Sequence, residues 1–434
     1  MRRPLIDLIY IDSGGGHRAA ATALETVIRE QQRPWDVRLR NIQDLLNSVD
    51  VIRKLTGIQF QDVYNIMLRR GWTLGTAQLI PPMHLAIRLF HDVEVRALTS
   101  QWSRQPPDMV VSLIPHYNRA LREALSSVRP GAPLVTILTD IADYPPHFWI
   151  ERQDQYVICG SARAEAQARA LGYPESRILR VSGMILNPRF YTPLALDRAD
   201  GRSRLGLRPD WPTALVSFGG QGSLDAVRVA KAINRYRSEI QMIVLCGRHA
   251  EAARRLHAMR HRVPVHIEAF TTEVPFYMGL ADFFIGKPGP GSISEALAMR
   301  LPVIVERNKW TLAHERYNAD WIVEQQVGMV VGNFSHLDAA LTQLLDPEKL
   351  AGYRAHAAAL QNSAVYEIPE LLAKVLRDES RPWTGPPRDR HRLSSAFGLR
   401  RIHNRALPRQ LIHAAQRREP PRPQGHDHDR PQAS

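Results

Sequence analysis

The sequence predicts an α/β protein of two doubly wound, Rossmann-like domains facing each other across a cleft. Three observations carry this. Short apolar runs alternate with amphipathic helical stretches along most of the chain, the signature of parallel strands covered by helices on both faces. The rhythm halts at a polar stretch, 187–210, that carries Pro188, Pro193 and Pro209, and then restarts. In each half a glycine-rich loop follows a strand and opens a helix.

In the first half the runs 5–11, 109–113, 134–138 and 155–159 read as strands, with a shorter one at about 37–39. The stretches 17–31 and 119–127 read as helices between them. In the second half the strands fall at 213–218, 241–246, 265–267, 282–285, 302–305 and 328–331. With 187–210 as the connection, the domains are expected at 1–195 and 205–375. An insertion at about 49–102 breaks the pattern with apolar and aromatic residues interleaved with arginines, as around Tyr64, Asn65 and Trp72. It fits a helix lying in a lipid interface or an ordinary helix packed on its domain.

The 434 residues carry a formal net charge of +14, which calls for an anionic partner. From 380 to 434 there are twelve arginines, four acids and eight prolines, so this stretch is expected to be a basic, disordered tail. Cys159 and Cys246 each end an apolar run and read as buried thiols of a reducing compartment. No apolar stretch approaches the roughly 20 residues of a membrane span, and no signal sequence precedes the first strand. The expected location is cytoplasmic, peripheral to the inner face of the cell membrane.

The first loop, Ser13-Gly14-Gly15-Gly16-His17, lets the backbone approach a ligand and aims helix N–H groups at it. Its match to G-x-G-x-x-A lacks the acid that a dinucleotide ribose needs, because Arg40-Asn41 follow the second strand. It is not a Walker loop, since no Gly-Lys-Ser/Thr follows. His17, at a helix start, should have a lowered pKa that favours a proton-accepting imidazole; it could equally hydrogen-bond the backbone. A second loop holds Gly219, Gly220, Gln221 and Ser223, and a third runs from Lys287 through Gly289, Gly291 and Ser292 to Glu295. Lys287 and Arg248 suit a diphosphate. Glu295 suits a ribose, or a capping box with Ser292.

Taken together, Ser13 to Ala19, Cys246-Gly247-Arg248 and Lys287 to Ala296 resemble the monogalactosyldiacylglycerol synthase and diacylglycerol glucosyltransferase family, glycosyltransferase family 28. The resemblance runs in order to about residue 376. It implies a GT-B fold and an inverting, UDP-sugar-dependent hexosyltransferase with no metal or other cofactor. His17 would be the base or an acceptor-side hydrogen-bonding group. Gly219, Gly220, Gln221, Ser223, Arg248, Phe270, Thr271, Lys287, Gly289, Gly291, Ser292, Glu295, Glu315 and Asn318 would hold the donor. Gly15, Gly16, Tyr64, Asn65, Trp72, Asp140, His147 and Trp149 would lie on the acceptor side. His314 departs from the family by replacing an expected Gln, which leaves the sugar open between galactose and glucose.

The implied partners are UDP-galactose or UDP-glucose, diacylglycerol, and anionic lipids met by the tail and insertion; no nucleic acid is expected. The product would be a glycolipid. Transfer to another lipid-linked acceptor, a UDP-sugar 2-epimerase, and a non-catalytic nucleotide- or nucleic-acid-binding protein are the competing expectations.

Overall fold

The computed structural model describes residues 2–12, 15–46, 76–144, 148–192, 195–236 and 239–378, with 76–89 as backbone. The described residues form one compact unit. It contains two six-stranded parallel sheets, matching the doubly wound expectation. The first comprises β1 (Leu5–Tyr10), β2 (Asp36–Asn41), β3 (Met109–Ser112), β4 (Leu134–Ile137), β5 (Tyr156–Cys159) and β6 (Ile178–Arg180), in the order β2-β1-β3-β4-β5-β6. The second comprises β7 (Thr213–Ser217), β8 (Gln241–Leu245), β9 (Val265–Glu268), β10 (Phe283–Gly286), β11 (Val303–Glu306) and β12 (Gly328–Val331), in the order β12-β11-β10-β7-β8-β9.

The strand orders decide where ligands can sit. In open parallel sheets the crevice opens beyond the carboxyl ends of the strands, at the point where the winding reverses. That point lies between β1 and β3 in the first sheet and between β7 and β10 in the second. All three predicted glycine loops follow one of these strands: the first β1, the second β7, the third β10.

The strands are buried apolar runs, and the covering helices bury one stripe each. The helix Gly16–Glu30 buries Ala20, Ala21, Ala23, Leu24, Val27 and Ile28 against the first sheet. Each large side chain among them contributes about 1.5–3 kcal/mol. Helix Ala364–Arg377 returns to this same core through Val365, Ile368, Leu372 and Val375. Its polar edge is held by Arg33 Nη2 on Glu370 at 3.1 Å and by Gln31 Nε2 donating to the Tyr366 carbonyl at 3.1 Å.

The polar stretch between the sheets is not irregular throughout. Helix Arg198–Arg204 seats Arg202, buried, with Nη2 2.7 Å from Asp282 Oδ2. The later part of the insertion belongs to helix Thr76–Arg104, where Leu98 and Trp102 are buried. The Trp102 indole N–H donates to Asp7 Oδ2 at 2.9 Å. This end of the insertion is therefore ordinary core, as one of its two expected readings has it. Tyr64, Asn65, Trp72 and the basic tail from 380 onward lie outside the described residues. Cys159 and Cys246 are buried free thiols. Among the described residues no helix is long and apolar enough to cross a membrane.

Candidate active site

On the first lobe the site begins where the chain leaves β1. Gly15 takes the left-handed conformation, φ 88°, which turns the chain into helix Gly16–Glu30 without a side-chain cap. A Cβ added to Gly15 or Gly16 would meet nothing within 4 Å. The first helical bond is Ala19 N–H to the Gly15 carbonyl at 3.1 Å.

His17 spans the switch point. Its Nδ1 lies 2.8 Å from the carbonyl oxygen of Leu113, the residue that follows β3. A carbonyl only accepts, so Nδ1 carries the proton and the neutral ring presents the Nε2 lone pair. Thr139 Oγ1 sits 3.1 Å from the same Nδ1. Burial lowers the His17 pKa below 6.5; Asp140 and the Leu113 carbonyl oppose this, and His314 reinforces it. The direction matches the sequence expectation, but its main cause is desolvation rather than the helix dipole.

Trp149, fully buried, lies 5.9 Å from His17 between ring centroids. Its indole N–H donates to Asp140 Oδ2 at 2.8 Å, and its backbone N–H donates to Asp143 Oδ1 at 2.8 Å. Burial pushes the Asp143 carboxyl up to about 6 against three backbone hydrogen bonds. Trp149 thus lies beside the His17 ring and holds Asp140 through its indole N–H. His147 lies outside the described residues, as do Ser13 and Gly14.

On the second lobe the loops after β7 and β8 pack backbone to backbone. Gly222, at φ 71°, leaves only 2.0 Å between an added Cβ and the Cys246 carbonyl, and Gly247, at φ 58°, leaves 2.6 Å to the Gly220 carbonyl. Arg248 N–H donates to that Gly220 carbonyl at 2.9 Å, and its guanidinium lies 3.9 Å over the Phe270 ring. Phe270 is 45% exposed, an apolar plate beside the glycine loop. Thr271 Oγ1 accepts from Glu273 N–H at 3.0 Å and so shapes the following turn. Gln221 Oε1 is shielded from solvent with no hydrogen-bond partner. Ser223 Oγ is engaged locally, 3.0 Å from Asp225 Oδ2.

Helix Pro290–Ala298 begins at the third loop, with Pro290 at its first position and no side-chain cap on Gly289. Ser292 and Glu295 both lie inside this helix, which removes the capping-box reading. The Glu295 carboxyl is free of local use, and burial raises its pKa to about 7. Lys287 Nζ is 3.1 Å from Glu315 Oε1, so its charge is shared with a buried carboxylate. Asn318, also buried, donates to the Pro288 carbonyl at 2.8 Å and braces the loop from below. A Cβ on Gly219 or Gly291 would meet nothing within 4 Å.

The lobes meet through aromatic contacts. His314, in the 3-10 turn Ala313–Glu315, stacks on Phe148 of the first lobe at 5.3 Å and 21°. Arg163 of the first lobe lies 5.6 Å over the Tyr317 ring. Phe148 stands in the His147-Phe148-Trp149 segment that resembles the family's acceptor side; the Leu113 carbonyl, a backbone atom, has no signal in the sequence. Among the described residues no three His, Cys, Asp or Glu side chains cluster to hold a metal.

Residues 213–371 match the C-terminal domain of glycosyltransferase family 28. Over 342 residues the chain is 30% identical to a probable monogalactosyldiacylglycerol synthase 2, chloroplastic, of Oryza sativa subsp. japonica, covering 74% of this chain and 69% of that protein. Monogalactosyldiacylglycerol synthase 2, chloroplastic, of Arabidopsis thaliana is 28% identical over 341 residues, with the same two coverages of 74% and 69%. The fold is similar to that of MurG from Acinetobacter baumannii, with a TM-score of 0.55 at 14% identity over 86% of this chain and 100% of that one. Arabidopsis thaliana UGT89C1 complexed with UDP gives a TM-score of 0.56 at 15% identity, again over 86% and 100%.

Proposed function

This chain belongs to the glycosyltransferase family that contains the monogalactosyldiacylglycerol synthases, and from that premise we propose that it moves galactose or glucose from a UDP-sugar to diacylglycerol. Transfer takes place at a membrane surface, inverts the anomeric centre and leaves a glycolipid and UDP. On this reading residues 1–195 carry the acceptor side and 205–375 the donor side, with helix Ala364–Arg377 packed back on the first lobe.

The observation that carries the proposal is the fixed tautomer of His17. With Nδ1–H committed to the Leu113 carbonyl, Nε2 is the base for an acceptor hydroxyl. The acceptor oxygen attacks the anomeric carbon from the face opposite UDP, and its proton passes to Nε2. The bond from the anomeric carbon to the β-phosphate oxygen breaks, and UDP departs with the electron pair. The uncapped start of helix Pro290–Ala298, Arg248 and Lys287 stabilise the leaving diphosphate. Glu295 accepts from the ribose hydroxyls, Phe270 and Thr271 border the base, and Gln221 lies beside the nucleoside. The arginine-rich stretch 380–434 supplies attraction to anionic lipid at the cytoplasmic leaflet.

The test is UDP release from UDP-galactose and UDP-glucose in the presence and absence of diacylglycerol vesicles, with mass spectrometry of the lipid formed. Lipid-dependent UDP release with a hexosyl-diacylglycerol product is the expected result. Release that needs no lipid, or epimerised sugar without UDP-dependent transfer, would overturn the lipid-acceptor reading.

A further inference from the structure

Beyond β11 the second lobe turns apolar side chains outward. Trp310, in the loop that follows this strand, is 45% exposed. Val323, on helix Arg316–Glu324, is 58% exposed, the most of any large apolar side chain among the described residues. Arg316 and Val323 stand seven residues apart, two turns along one face of that helix. A lone exposed apolar side chain is ordinary surface; here the group is set apart by what holds and surrounds it.

The loop that displays Trp310 is braced. Its backbone N–H donates to Asn308 Oδ1 at 2.8 Å, and Asn308 N–H donates to Thr311 Oγ1 at 2.9 Å. Asn308 Nδ2 donates to the Gly332 carbonyl at 3.2 Å, and Leu312 is buried at the loop's end. Cations border the indole. Lys309 Nζ lies 6.0 Å from the ring centroid, and exposed Arg316 donates through Nε to the Thr311 carbonyl at 3.4 Å. From the first lobe exposed Arg163 reaches over the Tyr317 ring at 5.6 Å. The nearby acids are engaged elsewhere: Glu306 by Arg228 at 2.9 Å, Glu315 by Lys287, Asp320 by Arg307 at 2.8 Å, and Glu324 by the Tyr317 hydroxyl at 3.0 Å.

We propose that Trp310 and Val323, with Lys309, Arg316 and Arg163, form a membrane-contact face that seats the rim of the cleft on an anionic lipid surface. The inference rests on the lipid-acceptor reading. An indole is suited to the boundary between headgroups and acyl chains, with its ring in the apolar layer. Each cation beside it adds attraction to anionic headgroups. Because Arg163 belongs to the first lobe and the other four residues to the second, one bilayer would engage both sides of the cleft mouth. The Trp310 loop leads directly to His314, which stacks on Phe148 of the acceptor side at 5.3 Å. Lipid met by Trp310 is thereby brought beside the segment that leads to His17.

The experiment attaches an environment-sensitive fluorophore to the full chain through Trp310→Cys. Cys159 and Cys246 are buried, so the new thiol is the one labelled. The control is Ala351→Cys on helix Pro347–Ala359, whose Arg354 pairs with Asp282 at the amino end of β10, away from the Trp310 loop. On vesicles of phosphatidylglycerol and phosphatidylcholine the label at 310 should shift to the blue and brighten, and the label at 351 should not. The unlabelled double variant Trp310→Ser/Arg316→Gln should bind those vesicles about tenfold more weakly at unchanged UDP affinity. An unshifted label at 310 would overturn the proposal. So would a shift that needs no vesicles and follows protein concentration, which marks a second copy, or a loss of UDP affinity in the double variant, which puts the indole in the donor site. These vesicles hold no diacylglycerol, so a chain that seats on them yet transfers no hexose to it would defeat the functional reading alone.

Discussion

The imidazole of His17 is tied through Nδ1 to the main-chain carbonyl of Leu113 at 2.8 Å, across the two strands where the winding of the first sheet reverses. One hydrogen bond therefore fixes both the ring orientation and the nitrogen that is left to accept a proton. Replacing His17 with Ala should leave UDP affinity within a few-fold of wild type and lower kcat by about 10²–10⁴, the usual contribution of a positioned base. Calorimetry with UDP and steady-state rates check the two halves. Because burial holds the His17 pKa below 6.5, the acid limb of kcat/KM should lie below pH 6.5. The same depression means that the fold gains from neutral His17 above the unfolded value, and loses that gain as pH falls through the folded one.

Glu295 makes a prediction of opposite sign. Its carboxyl is raised to about 7 by burial, so it becomes a full charge-assisted acceptor only as pH climbs past neutrality. UDP binding should therefore tighten between pH 6 and pH 8. In Glu295→Gln that trend should vanish and affinity should fall by roughly tenfold, the loss of one or two hydrogen bonds to a charged group. Isothermal titration at three pH values is sufficient; a variant that keeps the wild-type pH trend removes Glu295 from the ribose.

Lys287 and Glu315 form a half-buried ion pair, 3.1 Å apart, with the carboxylate side almost sealed from solvent. Lys287→Met strands that carboxylate and should cost about 3 kcal/mol, as broken buried pairs do. Adding Glu315→Gln should restore most of the thermal stability but not UDP affinity, since the cation stays absent. Melting temperature and UDP binding measured on both variants separate the two roles.

Gly222 and Gly219 both have positive φ, yet only Gly222 lacks room, with 2.0 Å to the Cys246 carbonyl. Gly222→Ala should lose about 2–4 kcal/mol through strain and forced separation of the two loops. Gly219→Ala meets open space and should lose about 1 kcal/mol from backbone strain alone. Any loss of UDP affinity there would reflect the methyl group entering the ligand's volume. Denaturant melts rank the pair, and equal losses would contradict this reading of the loop packing.

Much of the architecture was legible in the chain itself. Alternation of apolar runs with amphipathic stretches placed eleven of the twelve strands, and it marked the restart after the first sheet. The exception, β6, is three residues long and ends in Arg180, too short for a period to register. Its pairing with β5 is what makes it a strand. The helix Arg198–Arg204 was hidden inside a proline-bearing polar stretch because its anchor, Arg202 on Asp282, joins residues 80 positions apart.

The sequence by itself determined the class of fold, the three glycine loops after strands and the candidacy of His17, because these follow from local periodicity and from what glycine permits the backbone to do. Tertiary structure decided which loops become neighbours, since strand order is set by long-range pairing that no local period encodes. It brought the Leu113 carbonyl to His17, freed Glu295 from a capping role, committed Lys287 to Glu315, and laid His314 against Phe148. Each of these depends on a backbone atom or a partner many residues distant. For the same reason, the protonation of His17 was visible in the chain only as a direction, and its cause, burial over Trp149, only in the fold.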